Sequence, residues 1–141
     1  MTKIDIDSLF DLTAVREELR LSQSELAALL GVSPRTIQSN EQGWRKPSSA
    51  LEKSILLLLI ASRQGEDFTS HTCYNTLDCG PETCDQCLIH RSRQGHLCWL
   101  LTGNMCKGRR LYNWQDKKQV CGECLFLQTL LRGKVAHPDP D

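Results

Sequence analysis

The chain has 141 residues, enough for one ordinary domain or two small ones, and its 17 basic side chains are matched by 17 acidic ones, so no global positive field drives it onto nucleic acid. Its eight cysteines follow no apolar leader, since the opening MTKIDIDSLF holds Asp5 and Asp7; this argues against a secreted disulfide framework and predicts a cytoplasmic protein whose thiols bind metal or carry redox chemistry. The longest apolar run, residues 55–61, is far short of the roughly 20 residues that span a bilayer, and no membrane partner is expected.

In chain order, residues 1–9 show no clear period and are expected to form an extended or frayed arm. Leu12, Val15 and Leu19 then recur at helical spacing with Arg16, Glu17, Glu18 and Arg20 outside, which predicts a first helix over about residues 12–20. Ser22 followed three residues on by Glu25 is a capping box, so a second helix should open at Gln23. Leu26, Ala27, Leu29 and Leu30 form its apolar face, and Gly31 stands where a helix end requires positive φ. Ser33 before Pro34 places a cap ahead of a proline at the first helical position, where no N–H is needed. A third helix is therefore expected from Pro34 to about Gln42, ending at Gly43. Only Ile37 in it is clearly apolar, leaving Arg35, Thr36, Gln38 and Ser39 for a partner. Short polar side chains with one arginine suit base edges and phosphates.

Arg45 and Lys46 follow in a loop, placed for salt-dependent phosphate contacts. Ser49 with Glu52 reads as another capping box, opening a helix through Leu51, Ile55, Leu56, Leu57, Leu58, Leu59 and Ile60 that is apolar nearly all round. One face of that helix closes a small core, and the rest requires cover from the second half of the chain or from a second copy. A homodimer formed there would set two recognition helices about 34 Å apart, one turn of DNA.

Across residues 12–62 the chain resembles the Cro/C1-type (XRE) helix-turn-helix family, on Ser22, Gln23, Glu25, Leu26, Ala27, Gly31, Val32, Ser33, Thr36, Ile37, Glu41, Gly43, Arg45 and Pro47. The resemblance implies binding to double-stranded DNA, with Gln23 and Ser33 holding phosphates near helix N-termini and Arg35, Thr36, Gln38 and Ser39 reading the major groove. In one respect the chain departs from the family, which often has an aromatic residue just before the glutamate. Here that position is Asn40, and Trp44 is the candidate to supply the ring.

Cysteine is absent up to Thr72 and then appears at Cys73, Cys79, Cys84, Cys87, Cys98, Cys106, Cys121 and Cys124. Cys84 with Cys87, and Cys121 with Cys124, are C-x-x-C knuckles, the turn geometry by which two thiolates reach one ion. Eight thiolates suit two tetrahedral sites, grouped either locally or with both knuckles on one ion. Thiolate ligation selects zinc, with an iron–sulfur cluster as the alternative. His71, His90, His96 and His137 are substitute ligands in principle, though solvent-exposed histidine is the commoner role. The phrases CYNTLDCG, CWLLTGNMC and CGEC over residues 73–128 resemble the cysteine-rich two-CW domains, with Tyr74 in place of the first tryptophan; that resemblance implies metal binding. Charge is also segregated. Residues 66–90 hold no Lys or Arg, whereas residues 91–118 hold seven against Asp116 alone. This basic segment suits phosphate contact, balance of thiolate charge, or solvated surface.

The expected architecture is thus an all-α N-terminal helix-turn-helix domain of about five short helices over residues 1–64 and a linker over 65–72. A small irregular Cys-rich metal-bound domain follows over 73–132, with a short closing helix near residues 125–131, and a flexible tail over 133–141. The expected function is that of a non-enzymatic, sequence-specific transcriptional regulator whose metal module senses redox state or metal. The alternatives are an antitoxin-type autorepressor whose metal domain binds a protein partner, and an iron–sulfur or thiol redox protein, for which no βαβ pattern surrounds either knuckle.

Overall fold

The structure, a computed structural model, describes residues 3–65, 86–102, 105–106, 109–111 and 113–133, with backbone alone at 106, 109 and 110. Its opening element is a 3₁₀ turn, Ile6–Phe10, capped by the Asp5 side chain. The expected frayed arm is corrected here: Ile6, Leu9 and Phe10 are buried. The spacing that buries them follows a 3₁₀ turn too short to register as a helical period.

Helices α1 (Leu12–Leu19), α2 (Gln23–Leu30) and α3 (Pro34–Glu41) follow as expected, the first from its apolar spacing and the other two from their caps. Asp11 accepts from Thr13 and Ala14. Ser22 and Glu25 complete the reciprocal box at 3.0 and 2.9 Å. Gly31 ends α2 at φ 72°, a conformation that costs a residue with a Cβ. Ser33 accepts from the Thr36 N–H at 3.2 Å, with Pro34 at the first helical position.

Helix α4 (Ser49–Gln64) is capped by Ser48, which accepts from the Leu51 N–H at 3.1 Å. This corrects the predicted box between Ser49 and Glu52. With the cap one residue earlier, Glu52 no longer reaches back to a cap N–H and turns inward instead. Its carboxylate, 7 % exposed, accepts from Trp114 Nε1 at 2.9 Å and from Lys118 Nζ at 3.0 and 3.2 Å.

The described part of the cysteine-rich half is more helical than its weak signals suggest. It comprises α5 (Leu88–Arg91), a 3₁₀ turn (Gly95–Leu97), an antiparallel pair β1 (Met105–Cys106) and β2 (Arg109–Arg110), α6 (Trp114–Gly122) and α7 (Leu125–Arg132). The register pairs Met105 with Arg110 and Cys106 with Arg109. Helix α7 fulfils the expected closing helix, whereas the tail beyond Gly133 lies outside the described residues.

Helix α4 packs most extensively against α7, and also against the first 3₁₀ turn, α1 and α2. Most of the cover that its apolar surface requires is thus supplied by the chain itself, with Leu57 left exposed. The link is polar at its end: Arg63 Nη1 donates to the Leu131 carbonyl at 2.9 Å, and Gln64 Nε2 to the Leu130 carbonyl at 3.0 Å. Two elements from the N-terminal segment add to it. Gln128, itself 3 % exposed, accepts from the Ile4 N–H at 2.9 Å and donates to the Ile4 carbonyl at 2.7 Å. Ile6 lies so close to Gly122 that an added Cβ would stand 3.0 Å from its Cγ2. Nearly all the buried apolar residues described in both halves form a single cluster, from Ile6 through Ile37 and Ile60 to Trp99, Trp114 and Leu131.

Candidate nucleic-acid interface

Helix α3 is held from behind. Ile37 is fully buried, and α3 packs against α2 and α1. Arg16 of α1 grips Glu41 at the C-terminal end of α3, with Nε to Oε2 at 2.5 Å and Nη2 to Oε1 at 3.2 Å. Gln23 Nε2 adds a third donor to Glu41 Oε1 at 2.8 Å. The Arg16 guanidinium, with Gln23 assisting, holds the Glu41 carboxyl below its ordinary pKa against the opposing effect of burial. This triad fixes the angle of α3 on its supporting helices, and sequence reading, which placed Arg16 on the outside, did not find it.

Gln23, predicted as a phosphate contact, has one amide donor committed to Glu41. Ser33, Arg35 and Gln38 are exposed, while Thr36 and Ser39 are half-buried. Ser33 and Thr36 also share a hydroxyl contact at 3.1 Å. Arg45 and Lys46 are exposed in the following loop.

The charge balance of this face differs from that of the chain. Residues 33–48 contain Arg35, Arg45 and Lys46 and one carboxylate, Glu41. Glu41 is neutralised internally, with only 8 % of its side chain exposed. Among the described residues the other cations of the N-terminal half are mostly engaged: Lys3 with Glu123, Arg63 with Glu18, and Lys53 over the Trp114 ring. No described ion pair holds Arg35, Arg45 or Lys46. A chain of zero formal charge therefore presents one face that is locally positive.

Trp44 is the residue expected to supply the missing ring. It is 72 % exposed and lines a cleft of about 210 Å³ with Ser33, Arg35, Thr36, Ser39 and Arg45. Asn40, at the position where the family often carries the ring, leaves its side-chain oxygen buried without a hydrogen-bond partner among the described residues.

The predicted metal ligands are only partly on view. Cys87 and Cys98 are buried, Cys121 lies buried in α6, and Cys124 is half-buried at the N-terminal cap of α7. Cys73, Cys79, Cys84 and the Cys106 side chain lie outside the described residues, as do His71 and His137. Among the described residues no group of three or more His, Cys, Asp or Glu side chains is arranged to hold a metal ion. The described thiols thus do not compose a site by themselves. Among the described residues no helix is long and apolar enough to cross a membrane.

A tight two-helix unit with its second helix held out, polar and positive, defines a class of fold. Residues 12–53, less than a third of the chain, match the family model described as helix-turn-helix. Neither a curated protein nor a solved structure matches the chain.

Proposed function

We propose that the protein is a sequence-specific DNA-binding transcriptional regulator that lays α3 in the major groove. The observation that carries this reading is the α3 face itself: three cations outside any described ion pair, exposed hydroxyl and amide groups, and a single carboxylate turned inward onto Arg16. Arg35 and Gln38 are the exposed side chains of α3 with donors for base edges, Thr36 and Ser39 flank them, and Ser33, Arg45 and Lys46 position the backbone. Gln23 would join the phosphate contacts through the amide donor that Glu41 leaves over. A second copy would double this small contact surface, so the working form in the proposal is a homodimer on a two-fold site.

The test is selection of duplexes from a random-sequence library by the full-length protein, with sedimentation of the complex. Enrichment of a two-fold motif bound by two copies is expected. Recovery of unenriched sequence would refute specific readout, and a single copy on an asymmetric motif would refute the dimer.

The cysteine-rich half is proposed to hold zinc, or alternatively an iron–sulfur cluster, on thiolates drawn from the eight cysteines. The chemistry of the donor set supports this, since two C-x-x-C knuckles and four further thiols in one short segment exceed what core packing uses. Metal analysis and an absorption spectrum of anaerobically purified protein test it directly. Zinc without colour indicates structural sites, iron with sulfide a cluster, and neither element would end the metal proposal.

A further inference from the structure

We propose that the cleft between the N-terminal half of α3 and Trp44 is a subsite for one deoxyribose–phosphate unit of the DNA strand, with the indole ring as its apolar wall. This deepens the DNA-binding reading and rests on it. Of the three tryptophans, Trp99 and Trp114 are 1 % and 5 % exposed, whereas Trp44 is 72 % exposed. A large apolar ring left in water at the edge of a polar, positive face is poorly explained by folding, since burial would favour it.

The other walls have a complementary chemistry. Arg45 contributes a guanidinium group, Ser33, Thr36 and Ser39 contribute hydroxyls, and Arg35, assigned above to a base edge, also lines the cleft. Guanidinium and hydroxyl groups suit the two anionic oxygens of a phosphodiester. The adjoining sugar has a face of C–H groups, for which the flat indole is the matching surface. At about 210 Å³ the cleft suits one such unit and is small for a folded partner. The contact between the indole and the sugar is uncharged, so Trp44 itself adds affinity without releasing further counterions.

Full-length wild type, Trp44→Phe and Trp44→Ala are to be compared on the duplex selected from a random library and on a mixed-sequence duplex. Binding is followed by anisotropy across a salt series, and tryptophan exposure by acrylamide quenching. Because Trp44 is exposed, the variants should keep the wild-type melting temperature, which is measured alongside. Trp44→Ala is expected to lose roughly tenfold in affinity on both duplexes alike, comparable with loss of one interface anchor, with an unchanged salt slope. Trp44→Phe should retain most of the affinity. In wild type, saturation with duplex should reduce quenching towards that of free Trp44→Phe, in which only the buried tryptophans remain. Trp44 that stays equally quenchable in the saturated complex would overturn the subsite while leaving DNA binding intact. A loss confined to the selected duplex would overturn it in favour of base contact, and wild type that binds no duplex would remove both readings together.

Discussion

Gln38 and Lys46 differ in what they can distinguish on DNA. Gln38 is exposed on α3 with an amide able to pair with a base edge, whereas Lys46 sits in the loop with a single positive charge. Gln38→Ala is therefore expected to weaken the selected duplex by about 1–3 kcal/mol and mixed sequence hardly at all. Lys46→Ala should weaken both alike and flatten the salt slope by about one; competition binding on the two duplexes separates the cases, and equal losses for Gln38 would exclude base reading. Glu41 acts one layer behind. Its folded pKa lies below the ordinary 4.5 because Arg16, and then Gln23, stabilise the charged form against burial. A depressed carboxyl contributes stability that is present above the unfolded value and lost as pH falls through the folded one. The melting temperature of wild type should thus drop on acidification below about pH 4.5 more steeply than that of Glu41→Gln, which lacks this group. At neutral pH the variant should be less stable by about 1–3 kcal/mol, and parallel pH profiles for the two proteins would contradict the assignment.

Between elements, Glu52 joins α4 to α6 through Trp114 and Lys118. Lys118 is 8 % exposed, lies over the Phe10 ring at 5.5 Å and has Asp7 at 3.7 Å. Glu52→Ala leaves the buried Lys118 ammonium, among the described carboxylates, only Asp7 at 3.7 Å and strands the indole N–H, and a loss of about 3 kcal/mol is expected in denaturant melts. Lys118→Met with Glu52→Gln should recover part of it, and a small loss for Glu52→Ala would show that water satisfies the lysine. These relations also show what could be read in advance. The caps at Ser22, Ser33 and Gly31 and the spans of α1 to α3 were legible because each rests on residues within a turn of one another. The box at Ser49 and Glu52 was misread because two adjacent serines offer the same local signal, and what decides between them is Trp114, 62 residues away. Arg16 with Glu41, and Ile4 with Gln128, were likewise invisible, since nothing in the local pattern marks which charged or amide side chain will find a distant partner. At the candidate interface the residue types were legible, but the exposure of Trp44 was not.

At the scale of the molecule, α4 serves both halves: it closes the core behind α3 and is covered by α7. With one buried cluster running through them, the two halves are expected to unfold in a single calorimetric transition, and two separated transitions would contradict this coupling. Because Cys121 and Cys124 lie on α6 and at the cap of α7, removal of any bound metal by anaerobic chelation is expected to lower that one transition and to weaken duplex binding with it. Unchanged binding after complete removal would confine the cysteines to a role apart from DNA. The clasp of Gln128 on the backbone of Ile4 has a consequence for biosynthesis. The two partners are 124 positions apart, so during synthesis the Ile4 segment cannot dock until Gln128 has followed it, on the order of ten seconds at ordinary elongation rates. Over that interval Ile6, Leu9 and Phe10, buried in the folded chain, lack their final cover, which makes this segment the natural place for a chaperone to hold it.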